Sequence, residues 1–288
     1  MNKVAIVTDS VACLTKEHTE QYGIYVVPIK ILFEGKVYRN GVDLAPSEAY
    51  QLLEKSPESF STSPSTPQDY SSIFYELGTR LQDIFCITVS SKLSTAFNMA
   101  NLAKEEVKEK QPDINIEVMD SGTATAAQGF VVLAAAREAV QGKNTAEITE
   151  AAIEVKERVK LLFLLNTIRY AYRTGRIPKI AAQMGSMLGV KPIVTISDGL
   201  VHLVSAVRSK NRGIERLIKT MKLKLDDNQI HVAVMHTNIP EEAEKLKERV
   251  AAEFDCAEIF VTEVSPIIGY SVGPGTLAVA YYSSADII

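Results

Sequence analysis

The chain is poor in the features that mark several large functional classes. Its 288 residues include three cysteines, Cys13, Cys86 and Cys256, odd in number, widely separated and in no CxxC pair. That pattern excludes a disulfide framework and a zinc knuckle. Of four histidines, His231 and His236 lie five apart in IHVAVMH, a predicted strand, and so on opposite faces. His18 and His202 belong to no HExxH motif, and no metal site is expected. Basic residues do not outnumber acidic ones: 31 Lys and Arg against 35 Asp and Glu give a formal net charge of -4. Nucleic acid, which needs a basic field, is therefore not an expected partner. Long apolar runs are also missing. FVVLAAA (130–136) is too short to span a bilayer, and MNKVAIVTDS fits neither a signal peptide nor an anchor, so the expectation is a soluble, cytoplasmic protein. The GxGxxG fingerprint, the Walker lysine loop and the GxSxG elbow are absent, which lowers the dinucleotide, nucleotide-hydrolase and α/β-hydrolase readings and leaves no cofactor to assign.

What is present is an alternation of β-rich runs and helical patterns. KVAIVTD (3–9), DIFCITVSS (83–91) and INIEVMDS (114–121) read as buried strands, and IYVVPIKILF (24–33) as a strand marked by Pro28 as an edge or bulge. Helices are predicted after Thr15, over PSEAYQLLEKS, after Thr66–Pro67, over LSTAFNMANLAKEEVKEK, over ATAAQGFVVLAAAREAVQG, and after Asn144, which with Glu147 makes a capping box. Beyond residue 158 the texture changes. VKLLFLL, the hairpin VKPIVTIS–GLVHLVS across Asp198 and Gly199, a helix over about 211–225, and the strand–helix–strand unit from QIHVAVMHT to AEIFVTEV point to a mixed sheet. The expected fold class is α/β with two domains: 1–158 a parallel α/β/α sandwich, and 159–288 an α+β domain.

Small hydroxyl side chains cluster in FSTSPSTPQDY (60–70), where Ser61, Thr62, Ser63, Ser65 and Thr66 surround two prolines. Thr66 and Pro67 are accounted for as N-cap and first residue of a helix. Pro64 holds Ser63 out of helical geometry, so Ser61–Ser65 runs extended with its hydroxyls available. The three strands also exit into small polar residues: Thr8–Asp9–Ser10, Ser90–Ser91 leading to Ser94, and Asp120–Ser121. Ligands of open parallel sheets bind at such exits. Each residue alone is more simply a helix cap, whereas the set suits capture of a carboxylate, a phosphate or a carbonyl oxygen. An acyl- or phosphoryl-transfer enzyme using the same hydroxyls is the alternative, and against it no histidine sits at a comparable strand exit to serve as base.

The sequence resembles the DegV family of bacterial fatty acid-binding proteins over essentially its full length. The resemblance rests on VTDSVACL, STSPS (61–65), SSKLSTAFNMA (90–100), MDS (119–121), YRTGRI (172–177), GSMLGVKPI (185–193), HT (236–237) and VGPG (272–275), in this order and spacing. It implies a two-domain α/β fold that binds one long-chain fatty acid, without catalytic residues of its own, and in some members presents it to a separate fatty acid kinase. By the same resemblance the carboxylate is held by Thr62 and Ser94, with Ser61 competing with Thr62 for register. Ser271 stands where many members carry a histidine before the GPG turn; it can bond a carboxylate but supplies no cation. Thr95 replaces a family glycine, and RTGRI replaces the commoner KGGRI. Arg173, Arg176 and Arg208 are candidates for a basic rim or a partner-docking surface, beside the plainer reading of solvated arginines.

Overall fold

A computed structural model of the chain describes residues 4–81, 83–175, 189–225 and 229–284. Four parallel strands form the first sheet in the order β2 (Tyr25–Val27), β1 (Val4–Asp9), β6 (Asp83–Thr88), β7 (Asn115–Asp120). Period-two alternation gives these strands two apolar faces. Ala5, Val7, Ile84 and Cys86 pack against helices α3 (Pro67–Gly78) and α4 (Ala96–Lys110), while Val4, Ile6, Phe85 and Ile87 face α5 (Thr125–Val140). Both faces of the central strands β1 and β6 are covered, so these two read as nearly continuous apolar runs, whereas the edge strands β2 and β7 are partly exposed.

The segment expected as one strand around Pro28 is two. Tyr25–Val27 joins the parallel sheet, whereas β3 (Lys30–Phe33) pairs antiparallel with β4 (Lys36–Arg39) and with β5 (Phe60–Ser63) in a separate three-stranded sheet. Pro28 has no N–H for a ladder and lies at the change of sheet. Helices α1 (Lys16–Tyr22) and α2 (Pro46–Lys55) precede and follow this region.

The described strands after residue 159 form one six-stranded sheet, ordered β10 (Leu200–Val207), β9 (Lys191–Ser197), β8 (Lys160–Leu164), β13 (Leu277–Ser283), β11 (Ile230–His236), β12 (Cys256–Glu263). Only β11 and β12 run parallel, joined by α9 (Pro240–Glu253). One face packs on α9 and on α8 (Lys210–Lys222) through Leu162, Val232, Val234 and Val279. The other, through Leu161, Phe163, Ala233, Met235, Ala278 and Ala280, packs on α5. Helix α5 is thus enclosed between two sheets, with α6 (Thr145–Arg158) beside it. That explains why it is apolar on all sides rather than along one stripe. His231 and His236 fall on opposite faces of β11, as their spacing requires: His231 stacks on Tyr282 at 4.5 Å, and His236 Nδ1 accepts from Ile239 N. Two short helices, α7 (Arg169–Thr174) and α10 (Pro266–Val272), pack together near the ends of β8 and β13.

Candidate functional site

A cavity of about 910 Å³ of empty space, its mouth included, is bounded by both halves of the chain. Residues before 159 contribute Val11 from the loop after β1, Ile29 ahead of β3, Thr62, Ser63 and Pro64 from β5 and its exit, and Val89, Leu93 and Ser94 from the loop after β6. Residues after 159 contribute Phe163 and Leu165, Val194 and Ile196 of β9, Val201 of β10, and Ile267, Ile268, Ser271 and Val272 of α10. Thirteen of these seventeen side chains are apolar, four carry a hydroxyl, and none is charged. Such a lining accepts a long apolar body and a single polar group that needs hydrogen bonds more than a counter-ion.

The expected site residues sort clearly by place. Thr62, Ser94 and Ser271 come together on this one cavity, from three distant stretches of sequence. In β5 the buried Phe60 and half-buried Thr62 share a face opposite their partners Phe33 and Ile31, so the intervening Ser61 turns outward and is exposed. Ser61 does not line the cavity; Ser63, at the strand's end, does. Ser63 belongs to the extended segment whose hydroxyls are available, but the resemblance does not assign it to the carboxylate. Ser94 Oγ accepts from Ala96 N at 3.2 Å, opening α4, and keeps its own proton to donate. Thr62 and Ser271 have no hydrogen-bond partner for their hydroxyls among the described residues.

The other strand exits are occupied with holding the loops. Thr8 Oγ1 donates to Ile87 O and accepts from Gln128 Nε2. Asp120 accepts from Ser91 N and Gly122 N; Ser121 Oγ donates to Thr123 O, and Ser90 Oγ to Gly199 O. None of these bonds caps a helix: Thr8, Ser90 and Asp120 reach partners distant in sequence, and of the exit hydroxyls only Ser94 reaches the cavity. Asp9 is the most consequential of them. Its fully buried carboxylate accepts from Val89 N at 2.7 Å and from Val11 N at 3.0 Å, thereby tying together two loops that line the cavity. Burial pushes its pKa up to about 6, against the pull of those hydrogen bonds.

The two described arginines of the expected rim, Arg173 and Arg208, do not line the cavity. Arg173 is exposed, donates to Pro57 O and lies over the Tyr270 ring. Arg208 is exposed beyond β10, and Arg176 lies outside the described residues, as do the first four residues of GSMLGVKPI. The HT and VGPG stretches do meet: Thr237 Oγ1 donates to Gly273 O and accepts from Thr276 N, fixing the turn that ends α10. Among the described residues no group of three or more His, Cys, Asp and Glu could hold a metal ion, and no helix is long and apolar enough to cross a membrane.

Comparison with known proteins agrees with this architecture. A family model described as "Uncharacterised protein, DegV family" matches residues 3–284. A DegV domain-containing protein of Clostridium perfringens is 31% identical over 280 residues, covering 96% of this chain and 98% of that one. Among solved structures, DegV of Bacillus subtilis, described as a fatty acid binding protein, superposes with a TM-score of 0.89 at 27% identity, over 99% of this chain and 100% of its own. A stearic acid-binding protein of Eubacterium ventriosum gives a TM-score of 0.87 at 25% identity, over 98% of both chains. A DegV family protein of Thermus thermophilus gives 0.90 at 24% identity, over 98% of this chain and 100% of that one, which supports the fold. With a family model spanning nearly every residue and a mixed α/β architecture shared with solved members, the chain belongs to the DegV family.

Proposed function

We propose that the protein binds one long-chain fatty acid in this cavity and acts as a carrier rather than a catalyst. The carboxylate is received by the hydroxyls of Thr62 and Ser94, with Ser271 as a third donor from α10, and the acyl chain lies along the apolar lining of both halves. The observation that carries the reading is the lining itself: among the described residues, thirteen apolar side chains, four hydroxyls and no charge. Burying about sixteen carbons at roughly 0.8 kcal/mol per methylene offers on the order of 10 kcal/mol before the cost of immobilisation. The head-group hydroxyls are then needed chiefly for orientation and to pair a carboxylate that would cost several kcal/mol if left bare. The Bacillus subtilis and Eubacterium ventriosum relatives, described as fatty acid- and stearic acid-binding, support the same ligand class.

In this reading the chain folds as two domains dividing near residue 158, works in the cytoplasm, and hands its cargo to a partner that acts on the carboxylate, a fatty acid kinase in the family's scheme. Native mass spectrometry of protein purified from cells, followed by lipid extraction, tests the core claim. A copurified fatty acid is the expected result. A protein that carries none and does not bind a fluorescent fatty acid would refute it. The partnership has its own check: lipid-loaded protein should retain a fatty acid kinase from a lysate, and equal recovery with delipidated protein would remove the presentation role.

A further inference from the structure

Helix α10 brings Ser271 to the cavity, yet at seven residues it is too short to define its own position. Three side chains from the first half of the chain fix its start. Asn40 Nδ2 donates to Ser265 Oγ at 3.0 Å, Cys13 Sγ accepts from Ser265 N at 3.2 Å, and the Tyr50 hydroxyl donates to Val264 O at 2.7 Å. A fourth bond, Thr262 Oγ1 to Cys13 O at 2.8 Å, draws the end of β12 to the same point. Cys13 is 8%, Asn40 5% and Tyr50 0% exposed, so water does not readily replace what these groups supply.

The three residues have features that ordinary loop chemistry does not require. Cys13 takes a left-handed backbone, φ 50°, uncommon for a non-glycine residue, and burial pushes its thiol pKa up to about 12, so it serves as a neutral hydrogen-bonding group rather than a nucleophile. Asn40 also reaches the first half's share of the cavity: its Nδ2 donates to Ser10 Oγ at 3.1 Å, beside Val11, and its backbone N–H donates to Ile29 O at 2.9 Å. Gly269 lies directly on the Tyr50 ring, where an added Cβ would come within 2.3 Å of the hydroxyl oxygen. The helix therefore seats on Tyr50 at one point and is pinned by Cys13 and Asn40 just before its first turn.

We infer that Asn40, Cys13 and Tyr50 form a positioning clamp that sets the Ser271 hydroxyl against the carboxylate site of the first half. The inference rests on the fatty acid reading above and adds to it residues that touch no ligand. The same helix brings Ile267, Ile268 and Val272 to the lining, so loss of Asn40 disturbs the chain's site to some degree, and the mark of its action through Ser271 is an additional loss confined to the carboxylate head.

The test compares palmitic acid with methyl palmitate, which keeps the chain and loses the charge, on delipidated wild type, Asn40→Ala, Ser271→Ala and the double variant. Asn40→Ala is expected to weaken the acid about tenfold more than the ester, the low end for one hydrogen bond to a charged acceptor, with any loss shared by both ligands reporting the apolar residues of α10. In the Ser271→Ala background the Asn40 substitution should add little further loss, because both act through one hydroxyl. Tyr50→Phe, which removes a single hydroxyl and keeps the ring, should show the same acid-selective loss should Asn40→Ala fold poorly. Equal weakening of acid and ester, or full additivity with Ser271→Ala, overturns the clamp. A wild type that does not prefer acid to ester overturns the head-group reading itself, a distinguishable outcome.

Discussion

At the scale of single residues, the alternation of one short strand decides between two neighbouring hydroxyls. Thr62 turns with Phe60 toward the interior and Ser61 turns out. Thr62→Ala and Ser94→Ala should therefore each weaken fatty acid binding about tenfold, as loss of a hydrogen bond to a charged group does, while Ser61→Ala stays near wild type. Displacement of a fluorescent fatty acid measures all three, and a Ser61→Ala defect equal to that of Thr62→Ala would reverse the assignment. Asp9 makes a different prediction because its pKa, about 6, lies above its ordinary 3.8. Between those values the folded protein keeps a proton that the unfolded chain has lost. The contribution of Asp9 to stability is thus complete below about 3.8 and declines as pH rises through 6. The full decline is on the order of 3 kcal/mol. Asp9→Asn removes this titration, though it turns an NH₂ toward one of two backbone N–H donors. Urea unfolding from pH 4 to 7 should show the variant gaining on wild type as pH rises, and a flat difference would dismiss Asp9 as the source.

At the scale of elements, most of the fold was legible where periodicity and caps act locally. The three parallel strands, the N-cap at Thr66, the capping box at Asn144, and the hairpin across Asp198 and Gly199 all follow from side chains interacting within a few residues, although the third strand is only half-buried. What was not legible depends on contacts far apart in sequence. Pro28 signalled an irregularity, but only pairing with β5 shows that the chain changes sheet there, and β4 carries an exposed, weakly patterned sequence. The site shows the same division. Thr62, Ser94 and Ser271 could be singled out by resemblance, whereas the roles of Asn40 and Tyr50 exist only through partners more than 200 residues away. The hairpin turn tests this element-level reading. Asp198 and Gly199 both have positive φ, 51° and 74°, and a Cβ on Gly199 would meet Ser90 Oγ at 2.7 Å. Gly199→Ala should cost about 1–3 kcal/mol from strain and crowding. In that background Ser90→Ala should cost less than it does in wild type, since it also relieves the contact. Denaturant unfolding of the four proteins gives the coupling, and strict additivity would separate the two sites.

At the scale of the whole molecule, the cavity is a joint between two sheets that share a single buried helix, and its occupant should act on stability as well as on function. Val11, Val89 and Leu93 come from one side, and Phe163, Val194, Val201 and Ile268 from the other. An acyl chain lying among them replaces contacts that neither side can make alone. Each added methylene should therefore raise affinity about fourfold, the equivalent of roughly 0.8 kcal/mol, until the lining is used up and the series flattens. Because the site requires both sides to be folded, a fatty acid at about a hundred times its Kd should stabilise the protein by roughly 2.7 kcal/mol. For a chain of 288 residues that shift corresponds to a rise in Tm of about 4–5 °C. Acetate, with the same head group and no chain, should leave Tm unchanged. Calorimetry of delipidated protein with saturated acids of increasing length measures both effects. Stabilisation independent of chain length would place the binding energy in the hydroxyls instead of the apolar walls, and the cavity would then have to be reassigned to a polar ligand.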